Sequence, residues 1–290
     1  MPPPVPQPTR RQLLLAGSAL LGSGLLTACG QDGEDAPSSS SEPASSAPTS
    51  AAPAGPPPAG EPVAWSDVAR VPHLFFHSLV VDPARAFDGD DKAGGYLDFM
   101  VTVDEFDAVI RQVYERGYVL VSPHELYEVG EDDVVRPKTL MVPEGRTPLI
   151  LSLDDCSYYL YMDGDGFADR LIVAEDGRVR NEYTDAEGTT HVGAFDVVPR
   201  LDDFLAEHPD FSLNGARGVL AMTGYDGVFG YRTSAREFGD SPTFDADVAA
   251  ATEVADALKV VGDLHRRDRA AQRREGGGGL LDLRLVQGEG

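Results

Sequence analysis

The chain has 290 residues, with 48 Asp and Glu against 24 Lys and Arg, for a formal net charge of -24. That balance excludes the basic surface that a nucleic-acid or anionic-lipid binder needs, but it identifies no partner, since solubility or a high-salt habitat produces the same bias. The two cysteines, Cys29 and Cys156, lie in regions of different character, and a globular part of about 200 residues buries an adequate core without a disulfide.

The N-terminus carries a twin-arginine start, Thr9-Arg10-Arg11-Gln12-Leu13-Leu14-Leu15, and an apolar, Gly/Ala-rich stretch over 13–26. That stretch is too short to span a bilayer as a mature helix. It closes in Leu26-Thr27-Ala28-Cys29-Gly30, which resembles the lipobox of bacterial lipoproteins. The resemblance implies cleavage before Cys29, lipid on its thiol, and an extracytoplasmic protein anchored to the cell membrane; residues 1–29 are then the signal peptide. Residues 30–62 are Ser, Pro, Ala and Gly with a few acids. No apolar face there offsets the entropy of ordering, so the segment reads as a disordered tether.

From residue 63 the pattern is that of a folded domain, expected to run to 262. Leu74-Phe75-Phe76-His77-Ser78-Leu79-Val80-Val81 reads as a strand. Thr102 and Glu105 make a capping box, and Phe106, Val109, Ile110, Val113 and Tyr114 follow at helical spacing up to the stop at Gly117. Tyr118-Val119-Leu120-Val121 is a strand, and Ser122-Pro123-His124-Glu125 opens a short helix.

Pro148-Leu149-Ile150-Leu151-Ser152-Leu153 is a continuous apolar run of the kind that forms a strand buried on both faces, and it ends in Asp154-Asp155-Cys156. Acids at the carboxyl end of a parallel strand sit where α/β proteins place their chemistry, although an Asp pair after a strand also serves as a cap or turn. Both carboxylates serve one site only if the chain turns there. The acidic loop Asp163-Gly164-Asp165-Gly166-Phe167-Ala168-Asp169 invites a calcium reading, but it departs from EF-hand spacing: Phe167 holds position five and no Glu closes the loop. A hairpin over 171–180, a helix marked by Val197, Leu201, Phe204 and Leu205, a buried strand over 218–223 and a helix over 247–259 complete the alternation, which is that of an α/β barrel.

The order of these elements, with Ser152-Leu153-Asp154-Asp155-Cys156 at the third strand, resembles the polysaccharide deacetylase (NodB-homology) family, whose first motif is Thr/Ser-Phe-Asp-Asp-Gly. Phe75-Phe76-His77-Ser78-Leu79 is similar to that family's first strand, and 223–233 is similar to a segment of a surface-lipoprotein branch. The resemblance covers about residues 71–260. It implies a distorted (β/α) barrel, with Asp154 as the catalytic base and Asp155 as ligand to a divalent metal, zinc in the usual case. It also implies an N-acetylated polysaccharide, of the cell wall or another source, as substrate.

Two departures stand out. Cys156 replaces the motif's glycine, and the later His-x-x-x-His that completes the family's metal site is missing after the acid pair; the chain's one such spacing, His73 to His77, precedes it. Of the six histidines only His73 and His77 are four apart; on a strand they share a face, as candidate ligands or as ordinary packed residues. After residue 262 the acidic chain gives way to an Arg/Gly-rich tail, 263–290. An authentic basic tail, a divergent domain end and a reading-frame shift all account for it; the frame shift is the reading adopted here, with the barrel truncated at its C-terminus. Three functions follow: a metal-dependent deacetylase-like lipoprotein whose present copy is catalytically incomplete, a non-catalytic glycan-binding lipoprotein in which Tyr158, Tyr159 and Tyr161 stack on sugar rings, or a calcium-stabilised adhesion protein.

Overall fold

Strand-forming and amphipathic segments alternate along the domain, and this computed structural model describes residues 55–272 apart from 57, 58 and 66, with side chains as far as residue 259. Cys29, the signal peptide, the tether up to residue 54 and the tail from residue 273 lie outside the described residues. In chain order the elements are β1 (Pro62–Trp65), β2 (His73–Phe76), α1 (Pro83–Ala86), α2 (Ala93–Phe99), α3 (Val103–Glu115), β3 (Tyr118–Leu120), α4 (Pro123–Leu126), β4 (Tyr127–Val129), β5 (Val135–Pro137) and β6 (Leu140–Pro143). There follow β7 (Thr147–Asp155), β8 (Arg170–Val173), β9 (Val179–Thr184), β10 (Thr190–Gly193), α5 (Val197–Glu207), β11 (Val219–Met222), α6 (Ala235–Phe238) and α7 (Phe244–Gln272).

The fold is mixed α/β around β7, the nine-residue strand formed by the apolar run. β2 and β11 flank it, both parallel, with Phe75 beside Ser152 and Ala221 beside Asp154. β3 pairs in parallel with the start of β7, Tyr118 beside Thr147. No closed barrel forms among the described residues; the parallel sheet has open edges. Alternation then splits this sheet into two unequal faces. Leu74, Phe76, Leu151, Leu153 and Leu220 point into the main core with Phe106, Ile110, Leu201 and Phe211 from the covering helices and turns. His73, Phe75, Ser152, Asp154 and Ala221 lie on the other face, where Phe75 remains 60% exposed.

Local signals explain the helices. Thr102 Oγ1 accepts from the Glu105 amide at 3.2 Å while Glu105 Oε2 accepts from the Thr102 amide at 2.8 Å, so the capping box that starts α3 is complete. Ser122 caps α4 with Pro123 at its first position, and Gly117 ends α3 at a φ of 80°.

Several boundaries differ from those expected. β2 stops at Phe76, because Val80 leaves the sheet to bridge Thr102 and Phe167. The expected hairpin over 171–180 is a three-stranded antiparallel sheet, β8–β9–β10. α7 begins at Phe244 and its backbone runs to Gln272, past the expected boundary at 262. β1 and β6 pair antiparallel, a partnership across more than seventy residues that no local pattern announces. No helix among the described residues is long and apolar enough to cross a membrane.

Candidate active site

Asp154 and Asp155 end β7, and the chain turns sharply after them. Asp155, Cys156 and Tyr158 all have positive φ, at 72°, 26° and 50°. Non-glycine residues occupy this region rarely, so three within four positions mark a turn held by its surroundings. The holding is visible. Phe229 N donates to Cys156 O at 2.8 Å and Gly230 N to Ser157 O at 3.1 Å. Ser157 Oγ lies 2.6 Å from Asp155 O and 3.1 Å from Gly227 O. The partner loop folds so tightly on itself that only glycine fits at its start. A Cβ on Gly227, at φ 128°, would lie 2.0 Å from Tyr231 O. Both acids are still within β7, Asp154 beside Ala221 and Asp155 beside Met222, and the chain leaves the strand at Asp155.

Asp154 belongs to the open sheet face. Ser152 Oγ donates to Asp154 Oδ1 at 2.9 Å, and His73 Nε2 lies 2.9 Å from the same Ser152 Oγ. Serine has one proton to give, so His73 must donate from Nε2, and a chain of two hydrogen bonds runs from imidazole to carboxylate. Ser152 itself is buried, so this chain fixes one carboxylate orientation. Sequence spacing paired His73 with His77, and here the structure separates them. Strand residues four apart share a face but stand about 13 Å apart. The Phe75 ring lies between them, 6.3 Å from the His73 ring and 6.2 Å from that of His77. They do not converge on one ion.

Beside Asp155 three tyrosines gather. Tyr159 and Tyr161 stack with ring centroids 5.4 Å apart, and Tyr225 meets Tyr159 edge to face at 5.9 Å. Tyr161 is 49% and Tyr225 61% exposed. Tyr159 Oη bonds Thr223 Oγ1 at 3.0 Å, and the Leu160 amide donates to Asp226 Oδ2 at 3.0 Å, which ties the two loops together. Burial, then the Tyr159 hydroxyl and the charges of Asp155 and Asp226, pushes the Tyr161 phenol upward. Burial also raises Tyr159. Tyr158, named with these from sequence, is instead in the core and receives Asn181 Nδ2 at 3.0 Å. Tyr225 and Thr223 were not anticipated as site residues; the resemblance of 223–233 was the only signal for them.

Behind the turn lies a buried polar group. Asp196 is fully buried, caps α5, and accepts from Leu79 N at 3.0 Å and Val197 N at 2.7 Å through Oδ1. Burial pushes its carboxyl up to about 6, against the pull of the Tyr158 hydroxyl and these amides. Burial first, then the Asp196 charge, raises the Cys156 thiol well above its ordinary value, so it is an inert packing group in the place of the motif's glycine.

The carboxylates of the 163–169 loop do not converge as calcium ligands do. Asp165 pairs with Lys92 and receives Tyr96 Oη at 2.9 Å, Asp169 receives Thr184 Oγ1 at 2.7 Å, and Asp163 faces Arg232 at 3.9 Å. Among the described residues no group of three or more His, Cys, Asp or Glu side chains is placed to hold a metal ion. Compared with protein-family models, with curated proteins and with solved structures, the chain matches none.

Proposed function

We propose that this chain is a lipoprotein of the polysaccharide deacetylase type, anchored outside the cytoplasm by lipid on Cys29, that binds an N-acetylated polysaccharide without hydrolysing it. In this reading the parallel strands belong to a distorted (β/α) barrel, and Asp154 and Asp155 stand where the family keeps its base and its metal ligand. The observation that carries the proposal is the tyrosine group beside the acid pair. Sugar rings present apolar faces that stack on exposed aromatic rings while their hydroxyls bond nearby carboxylates. Tyr159, Tyr161 and Tyr225 supply the first, and Asp155 and Asp226 the second. Hydrolysis is left out because no His-x-x-x-His follows the acid pair, where the family keeps its metal-binding histidines.

The test is titration of a soluble N-acetylglucosamine oligomer into the protein, with acetate release followed in parallel. Saturable binding is expected, weakened about three- to tenfold by Tyr161→Ala or Tyr225→Ala, each ring being worth about 0.5–1.5 kcal/mol. Acetate should stay at background. Binding indifferent to both substitutions would remove the glycan reading. Acetate release abolished by Asp154→Asn would instead make the chain an active enzyme.

A further inference from the structure

An apolar groove of about 1310 Å3 opens between β11 and α7. It is larger than an ordinary small-molecule cleft of about 300–1,000 Å3. Leu220 and Met222 form one wall; Val248, Ala251, Ala255 and Leu258, spaced three, four and three apart along one helix stripe, form the other. The two alanines end at a methyl group, which leaves depth between the walls. Val248 to Leu258 spans about 15 Å of helix. Val248 is 38% exposed, and Leu220, Met222, Ala255 and Leu258 are half-buried, so the apolar walls meet solvent. Thr252, the one polar residue that α7 contributes among the described residues, turns its hydroxyl onto Val248 O at 2.7 Å.

The groove runs into the candidate site. Thr223 and Tyr225, which follow Met222, line it as well. Tyr159 Oη bonds Thr223 Oγ1 at 3.0 Å, and the Tyr225 ring meets that of Tyr159 at 5.9 Å. Met222 also stands beside Asp155, and Leu220 beside Leu153, so the strand wall of the groove and Asp155 share one face of the sheet. A ligand seated at the tyrosines is therefore continuous with the groove. The walls decide what can follow. Their side chains offer sugar hydroxyls no free partner, and a polar group buried without one is costly. A hydrocarbon chain has no such group to satisfy and gains by leaving water.

We infer that the saccharide bound at the tyrosines carries an apolar chain, and that this chain lies in the groove between β11 and α7. The ligand class is then an amphiphilic saccharide, a sugar joined to an acyl, alkyl or prenyl chain. The inference rests on the glycan reading above and adds to it the part of the ligand that is not sugar.

Titration of the full chain with methyl, butyl and octyl glycosides of N-acetylglucosamine, each kept below the concentration at which it aggregates, tests this. Affinity should rise along the series, by about two- to fourfold for each methylene buried. Val248→Asp, at an exposed position, should weaken the octyl glycoside by about threefold or more, and by a larger factor the longer the chain. Equal affinities along the series in the unsubstituted protein would overturn the inference, whether the rest of this chain or a second copy fills the groove. N-acetylglucosamine oligomers that still bind would then leave the glycan reading intact, and oligomers that do not would remove it as well. Octanol that binds as tightly as the octyl glycoside, and is untouched by Tyr225→Ala, would also overturn the inference, since the groove would then take the chain without its sugar.

Discussion

The Asp196 carboxylate makes stability depend on pH in a direction opposite to that of most carboxylates. Its pKa rises from 3.8 to about 6 on folding, because burial disfavours the charge more than its hydroxyl and amide donors favour it. Below about pH 4 both folded and unfolded chains keep this proton, and the group contributes no difference. Between pH 4 and 6 the unfolded chain releases the proton first, so unfolding is favoured progressively as pH rises. Above pH 6 both states are ionised and the full cost is present. A displacement of this size corresponds to about 3 kcal/mol at 1.36 kcal/mol per unit of pKa. The perturbation is Asp196→Asn, which keeps an acceptor for the Leu79 and Val197 amides and removes the titration. The assay is urea unfolding of both proteins at intervals from pH 4 to 7.5. Exposed carboxylates such as Asp132 and Asp185, lowered by their Arg136 and His191 partners, titrate with the opposite sign but equally in both proteins, so they cancel in the difference. The stability of wild type relative to Asp196→Asn should fall by about 2.4 kcal/mol across this range, since about 0.6 kcal/mol is already lost at pH 4. Parallel pH profiles for the two proteins would refute the reasoning.

Other expectations rest on packing, backbone and targeting. Gly227→Ala puts a methyl group 2.0 Å from Tyr231 O in a backbone region that alanine avoids, so it should destabilise by about 2 kcal/mol or more and loosen the turn at Asp155, read by urea unfolding and by amide exchange of 155–158. Phe106, almost fully buried and edge to face with Phe76 at 5.0 Å, should cost about 3–5 kcal/mol as Phe106→Ala in calorimetry or denaturant melts. Cys29→Ser should release the protein from the membrane fraction or leave it as uncleaved precursor on a blot; unchanged retention at mature size would exclude lipidation.

Sequence alone determined the elements whose causes lie within a few residues. The apolar run 148–153 reads as a buried strand from its own residues, and it is the sheet's centre. Thr102 and Glu105 are three apart and cap each other wherever the helix goes. Phe106 and Ile110 recur at helical spacing and are buried for that reason. The site is different in kind. Ser152 lies 79 residues from His73, and Tyr159 lies 66 from Tyr225; nothing in either neighbourhood encodes the meeting. The strand register places Phe75 beside Ser152, and the positive-φ turn after β7 decides which tyrosines face solvent and which, like Tyr158, go inside. Asp196 looks in sequence like any helix cap, and only the segments that follow β2 and β7, packed against the start of α5, remove its water and shift its proton affinity. Periodicity and capping act over one turn or one strand, whereas burial, register and hydrogen-bond partnership are properties of distant segments brought together, so tertiary structure alone decides them.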